Sequence, residues 1–371
     1  MFGFIKSRSF RKFVLSFNIT VFVILAVAGG VYAALRMSIR PPEVPDYVEI
    51  IVPRPRPPVV NTPVVIPSTP EENSEEDPYD NLTDYPSAEY ETLIFQRRPN
   101  FFTFLFYGLD NGNNVDAIMV AAFDGETGNA YLISLPRDTR VDVLRPSGRR
   151  KLVASYAAGR ANGGGHDGGI EQMKKEVSTL IGFRPDFYVG VNQRAFVRLI
   201  DAIGGVEVTV PFRLVYNDPY QNLHIDLPAG RRTLTGQQAL HFARFRQFNE
   251  GCPYFRNFTD FQRMESQQQI ISAAVQELLS VRSLPRIPEF IRIYQENVST
   301  NLDAMEIGWF VEQIPGLRAD TLLTTYTLPI TRTVRNGWYE MPDKDEILKL
   351  INRTINPFTR DIIPEMLRIV E

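Results

Sequence analysis

Soft and imidazole side chains are scarce: the 371 residues include one cysteine, Cys252, and three histidines, His166, His224 and His241. A lone cysteine excludes an intrachain disulfide, and the whole set is too small for a structural zinc site. Charge of one sign is lacking as well. Lys and Arg total 40 against 43 Asp and Glu, a net charge of −3. Wholesale nucleic-acid binding therefore has no electrostatic footprint, and any cationic site has to be local. No Gly-x-Ser-x-Gly elbow supports a serine hydrolase, and no histidine lies near Cys252 in its Gly-Cys-Pro loop. The run from Gly163 to Gly169 lacks the Lys-Ser/Thr ending of a phosphate-binding loop and reads as a mobile loop. His224-Ile225-Asp226 offers two ligand types without a third partner. Chemistry is left to carboxylates, arginines and hydroxyls.

What the chain does have is apolar length at its start and proline after it. Lys6, Arg8, Arg11 and Lys12 mark a short basic tail, residues 1–12. No charged residue interrupts Phe13 to Leu35, a run long enough to cross a bilayer as a helix. The four basic residues before it outnumber Arg36 and Arg40 after it, which puts the amino terminus in the cytoplasm and the rest outside. Val31-Tyr32-Ala33 leaves a cleaved signal peptide open as the alternative, although the run is long for one. Ten of the 27 prolines fall between Pro41 and Pro70. Fixed φ and missing N–H groups disfavour helix and sheet there, so residues 36–96 read as a stiff proline-rich and then acidic spacer. Residues 97–371 are the expected globular part, within reach of one domain.

That part opens with strands. Phe101 to Tyr107, Ala117 to Phe123 and Ala130 to Leu135 are apolar at nearly every position, as in strands buried on both faces. Asp124-Gly125-Glu126-Thr127-Gly128 turns the chain between the last two. Helical periodicity follows from Ile170 to Ile181 and from Gln193 to Ile203. Thr235 with Gln238 and Thr259 with Gln262 have capping-box spacing before two further helices. The pattern is α/β.

Asp110 and Asp116 stand at neighbouring strand ends, where a carboxylate pair suits a hard cation such as Mg²⁺ that completes its shell with water and phosphate oxygens. The Asp-Asn-Gly-Asn-Asn sequence is equally ordinary turn chemistry. Arg137 follows a strand end, Arg244 and Arg246 flank Phe245 after a helix, and Arg263 shares a helix face with Gln267. The guanidinium fork suits phosphate, but each arginine alone is as well explained by a surface ion pair.

Taken in order, these motifs resemble the LytR-CpsA-Psr proteins of bacterial envelopes. The carrying residues are Gly108-Leu109-Asp110, Asp116-Ala117-Ile118-Met119, Ser134-Leu135-Pro136-Arg137-Asp138-Thr139, Lys151-Leu152 and Asp201-Ala202-Ile203-Gly204-Gly205-Val206. Leu223 to Leu227, Gly236 to Leu240, Phe242-Ala243-Arg244-Phe245-Arg246 and Arg263 with Gln267-Gln268 continue the series, with Asn336 to Tyr339 as a weaker extension. The resemblance implies a three-layer α/β/α domain with a central mixed sheet, preceded by one transmembrane helix, and an apolar cleft for a polyprenyl tail. It implies transfer of a glycopolymer from a polyprenyl-pyrophosphate carrier to a cell-wall hydroxyl, with release of polyprenyl phosphate, at the outer face of the cytoplasmic membrane and without nucleic acid. By the same resemblance, Asp110 and Asp116 hold Mg²⁺ or another divalent cation. Arg137, Arg244, Arg246 and Arg263 surround the pyrophosphate, Lys151 and Gln267 contact substrate, and Asp110 is also a candidate base. The chain departs from the family pattern in a short Asp110 to Asp116 loop, in Val153 after Lys151-Leu152, and in Ser266 where a second arginine is usual. A noncatalytic polyprenyl-phosphate binder and a lipid pyrophosphate hydrolase are the alternative readings.

Overall fold

A computed structural model describes residues 40–53, 90–110, 114–141, 151–221, 223–253, 258–278, 287–313, 323–334 and 338–369. The expected membrane span, Phe13 to Leu35, lies outside the described residues. Among the described residues no helix is long and apolar enough to cross a membrane.

In chain order the elements are β1 (Tyr47–Pro53), β2 (Tyr90–Gln96), β3 (Phe101–Leu109), β4 (Val115–Asp124), β5 (Ala130–Ser134), α1 (Ser155–Gly159), α2 (Gly165–Ile181) and β6 (Phe187–Asn192). Then come α3 (Gln193–Ile203), β7 (Val206–Val210), β8 (Leu214–Asp218), β9 (Leu223–Leu227), β10 (Gly230–Leu234), α4 (Gly236–Arg244) and α5 (Asp260–Leu278). The chain ends with α6 (Ile287–Asn297), β11 (Val298–Thr300), α7 (Ala304–Gln313), β12 (Thr324–Thr327), β13 (Ile330–Val334), β14 (Tyr339–Pro342) and α8 (Lys344–Thr354). They divide into two compact units. One comprises Pro45–Asp186, Asn257–Gln268 and Thr324–Glu371; the other comprises Met1–Val44, Phe187–Arg256 and Gln269–Leu323.

The Pro45–Asp186 unit is built on the bulky strands. β3 pairs antiparallel with β4, β4 with β5, and β12 joins β5 in parallel, giving a mixed sheet. Phe101, Phe102, Leu105, Ile118, Val120, Leu132 and Ile133 are each 2% exposed or less, as strands covered on both faces should be. The turn between β4 and β5 is closed by Asp124, whose Oδ1 accepts the amides of Glu126 and Thr127. Below the sheet, α2 buries Ile170, Met173, Val177, Leu180 and Ile181 on one stripe. A buried ion pair fixes one margin of the unit: Arg97 donates to Asp186 at 2.7 Å, and the same carboxylate oxygen accepts from the amide and hydroxyl of Thr103.

Two expectations are corrected here. The glycine-rich run read as a mobile loop is in large part helix, since α2 begins at Gly165. Two of its glycines serve close packing: a Cβ on Gly168 would lie 2.8 Å from the carbonyl oxygen of Gly159, outside the run, and one on Gly169 would meet the Tyr156 ring at 2.6 Å. The spacer, in turn, contains structure. β1 and β2 pair in full antiparallel register, from Tyr47 opposite Gln96 to Pro53 opposite Tyr90. Tyr47 to Val52 is an alternating β-branched segment whose inward residues Val52 and, across the pair, Phe95 are buried. Proline averaged over the whole stretch hides it, and Pro53 sits at the strand end, where a missing N–H is tolerated. Compact structure therefore starts before residue 97.

In the second unit, β6 pairs antiparallel with β11, β7 with β10, and β8 with β9. Alternation is clean: Val206, Val208 and Val210 in β7 and Leu223, Ile225 and Leu227 in β9 are buried while the residues between them are exposed. His224 and Asp226 thus point away from the buried face, and Asp226 is held by both ends of the Arg213 guanidinium. α3 packs against α4 and α6. The capping box at Thr235 opens α4 as expected, and Thr259 with Gln262 opens α5 the same way.

Candidate active site

The site is assembled at the end of β5, where Ser134-Leu135-Pro136 leads into Arg137. The Thr139 amide and hydroxyl both donate to the Pro136 carbonyl, at 3.0 and 2.6 Å, which tightens the chain into a turn. Backbone bonds clamp that turn on two sides. Val153 and Leu152 donate to Arg137 and Thr139, while Arg140 donates to Glu340 and Glu340 to Asp138. The segment after β5, the Lys151 segment and β14 are therefore one hydrogen-bonded assembly.

Its side chains carry alternating charge. Lys151 Nζ lies 3.0 Å from Asp138, and Arg137 Nε lies 3.8 Å from Asp138 and 3.6 Å from Asp260. Arg263 Nη2 meets Asp260 at 2.9 Å from a side chain only 4% exposed. Arg137, Lys151 and Arg263 thus alternate with Asp138 and Asp260, which brings three cationic side chains together around two carboxylates. Among the described residues the buried Nε of Arg137 has ion-pair partners but no hydrogen-bond acceptor. Such an assembly suits a small polyanion with several oxygens, which forked guanidinium groups bind bidentately.

Gln268 sets the positions. Buried in the first half of α5, it donates through Nε2 to Ser134 Oγ and the Tyr326 carbonyl, both at 2.8 Å. The helix bearing Arg263 is thereby tied to the strand end bearing Arg137. Gln267 is buried alongside it, and Ser266, where an arginine was expected from the resemblance, turns its hydroxyl onto the Gln262 carbonyl of its own helix.

Asp110 and Asp116 lie at the same end of the β3–β4 pair, one just past β3 and the other second in β4. Both Asp110 oxygens accept hydrogen bonds from Asn114, at 2.8 and 3.0 Å. Among the described residues no group of three His, Cys, Asp or Glu side chains gathers around a metal position. Two carboxylates still fit Mg²⁺ in kind, since that ion takes one or two carboxylates and keeps water and phosphate oxygens for the rest.

Arg244 and Arg246 belong to the other unit. Arg244 is the last residue of α4, half-buried, where the helix dipole favours a cation; Arg246 follows the buried Phe245 and is exposed. His241, one turn earlier, is held below its ordinary pKa by burial first and then by Arg244 and His224. The structure thus gathers Arg137, Lys151 and Arg263, places Asp110 and Asp116 at the same end of the β3–β4 pair, and keeps Arg244 and Arg246 on a single short segment.

Sequence reasoning missed Asp138 and Asp260 as the interleaved counter-charges and Gln268 as the brace. Only Asp260 left a local signal, the i, i+3 spacing to Arg263.

A model of the LytR_cpsA_psr family matches residues 71–356. The chain belongs to the LytR-CpsA-Psr family. Within that family it is 26% identical over 291 residues to the polyisoprenyl-teichoic acid–peptidoglycan teichoic acid transferase TagV of Bacillus subtilis (strain 168), covering 75% of this chain and 70% of TagV. It is 28% identical over 222 residues to the regulatory protein MsrR of Staphylococcus aureus (strain COL), covering 59% of this chain and 60% of MsrR. The crystal structure of B. subtilis TagV matches with a TM-score of 0.56 at 22% identity, covering 74% of this chain and all of that one. TagT bound to LI-WTA matches at 0.52 and 20% identity, covering 71% of this chain and 92% of that one. These LytR-CpsA-Psr structures establish a shared mixed α/β fold with a central mixed sheet.

Proposed function

We propose that this chain is a membrane-anchored phosphotransferase that moves a glycopolymer from a polyprenyl-pyrophosphate carrier to a hydroxyl of cell-wall glycan and releases polyprenyl phosphate. One observation carries the reading: the Arg137–Lys151–Arg263 cluster, interleaved with Asp138 and Asp260, sits at the end of a buried strand in a LytR-CpsA-Psr chain. TagV, a relative by sequence, is named as a teichoic acid transferase acting on peptidoglycan, which supports the same class of reaction here.

In this reaction the acceptor oxygen forms a bond to the glycan-bearing phosphorus, the P–O–P bridge breaks, and the bridging oxygen leaves on polyprenyl phosphate. The acceptor proton passes to a base, for which Asp110 is the candidate. By the family resemblance Arg137, Arg263, Arg244 and Arg246 would neutralise charge on the transferring and leaving phosphates, and Lys151 and Gln267 would orient the donor. Asp110 and Asp116 would hold a divalent cation, which supplies further charge neutralisation when bound. The three-layer α/β/α arrangement, the single transmembrane helix and an outward-facing domain complete the proposal.

The test is transfer from a glycan-linked polyprenyl pyrophosphate to a peptidoglycan oligomer by the full-length protein in detergent. Expected is stoichiometric release of polyprenyl phosphate, abolished by Arg137→Ala. No product from several donors, with polyprenyl phosphate still bound, would move the assignment to a noncatalytic binder. The doubly hydrogen-bonded Asp110 carboxylate and the helix-bound Ser266 favour that second reading. Product formed without acceptor would instead indicate a hydrolase.

A further inference from the structure

Trp338 is an outlier that the cationic site does not absorb. It immediately precedes β14, the second strand of the β13–β14 pair, with a backbone φ of 53°, in the left-handed region that a bulky side chain rarely adopts. Its indole is 65% exposed. Burial therefore does not compensate the strain, and glycine would relieve it, as the neighbouring Gly337 shows the sequence has available. A strained backbone presenting a large aromatic ring to solvent points to a use outside the fold.

Its surroundings indicate the ligand. The next residue, Tyr339, has its ring under two cations, with the Arg140 guanidinium 5.6 Å and Lys151 Nζ 5.8 Å from the centroid. Glu340, two residues on, is hydrogen-bonded through its backbone to Asp138 and Arg140, the segment that carries Arg137. At about 3.3 Å per residue along a strand, Trp338 is on the order of 7 Å along the chain from that junction. That chain length is within the reach of a sugar joined to a pyrophosphate held by the cations, so such a ring could meet the exposed indole. An indole offers an apolar face to the axial C–H groups of a pyranose and an N–H to its hydroxyls.

We propose that Trp338 is the platform for the pyranose ring next to the reacting phosphate, with Tyr339 fixing its approach to Lys151 and Arg140. This rests on the transferase reading for its substrate, so the experiment separates the two. Trp309 is the other tryptophan of the chain, and a Trp309→Phe background leaves Trp338 as the sole indole reporter. Full-length protein is titrated with a tetramer of β-1,4-linked N-acetylglucosamine and, separately, with inorganic pyrophosphate. The tetramer should change Trp338 emission, and Trp338→Gly, followed by calorimetry, should weaken tetramer binding about tenfold while leaving pyrophosphate affinity unchanged. Because glycine relieves the left-handed strain, the same variant should melt at a higher temperature than wild type. In the transfer assay, a rise in KM confined to acceptor or to donor, without a matching fall in kcat, assigns the ring to that substrate, and either supports the platform. Unchanged tetramer affinity, or a lower melting temperature together with weaker pyrophosphate binding, overturns the platform and leaves the transferase reading standing. Binding of neither probe by wild type overturns both.

Discussion

Replacing Asp260 by Asn tests whether the carboxylates of the cationic cluster stand in for an anionic ligand. Asp260 bridges Arg137 at 3.6 Å and Arg263 at 2.9 Å, and the Arg263 side chain is 4% exposed while that of Asp260 is 32% exposed. Removing one partner of a fully buried pair costs about 3–5 kcal/mol. The exposure of Asp260 lets water screen part of the uncovered charge, which lowers the expected cost to about 1–3 kcal/mol. As the first residue of α5 it also contributes about 0.3–1 kcal/mol through the helix dipole, a part no ligand replaces. Urea denaturation should show the full loss without ligand. If an anion takes over the role of the carboxylate, the variant should bind pyrophosphate about 5- to 30-fold more tightly, the equivalent of about 1–2 kcal/mol. Saturating pyrophosphate, which at a hundred times Kd stabilises by about 2.7 kcal/mol, should then close most of the gap to wild type. Equal affinities, or a stability gap unchanged by pyrophosphate, would refute the reasoning.

Other perturbations probe the frame and the second unit. Asp186→Ala leaves the guanidinium of Arg97 buried without its carboxylate and removes two acceptor contacts to Thr103, so urea denaturation should show a loss of about 3–5 kcal/mol. Gly159→Ala would drive a methyl against the Gly168 carbonyl and should lower stability by about 1–3 kcal/mol, seen as a lower melting temperature. His241 is held below its ordinary value of 6.5, so the unfolded chain takes up that proton first as pH falls. The stability it contributes near neutrality should decline below pH 6.5 and level off once the folded histidine is itself protonated. An NMR titration should show its pKa rising in Arg244→Ala and also in wild type with pyrophosphate bound, if that anion sits at Arg244.

Much of the sheet was legible because β3, β4 and β5 are apolar on both faces, a pattern few other structures produce. The two capping boxes were legible for a local reason: the bonding residues lie three apart. The β1–β2 pair was not, because its strands are separated by the proline-rich and acidic stretch, and composition averaged over that stretch masks six alternating residues. The cluster was half legible. Arginines announce affinity for anions wherever they occur, but the bridge from Arg137 to Asp260 spans more than a hundred residues and leaves no period in the sequence. Asp260 had a sufficient local explanation as a helix-start residue, which concealed its long-range partner. Trp338 shows the converse: nothing in its sequence neighbourhood requires φ to be positive, and only the backbone reveals the strain.

The pairing of β1 with β2 changes the mechanics of the proposed anchor. Only residues 36–46 lie between the apolar run and the first strand, a leash of at most about 40 Å when fully extended. The proline-rich stretch is not in series with that leash. Its flanking residues Pro53 and Tyr90 face each other across the β1–β2 pair, so the separation of those two points is set by the strand pair and not by the length of chain between them. If the proposed anchor and lipid-linked donor hold, insertions between Pro53 and Tyr90 should leave transfer unchanged, whereas insertions between Arg36 and Asp46 should lower it, as measured in the transfer assay with membrane-reconstituted protein.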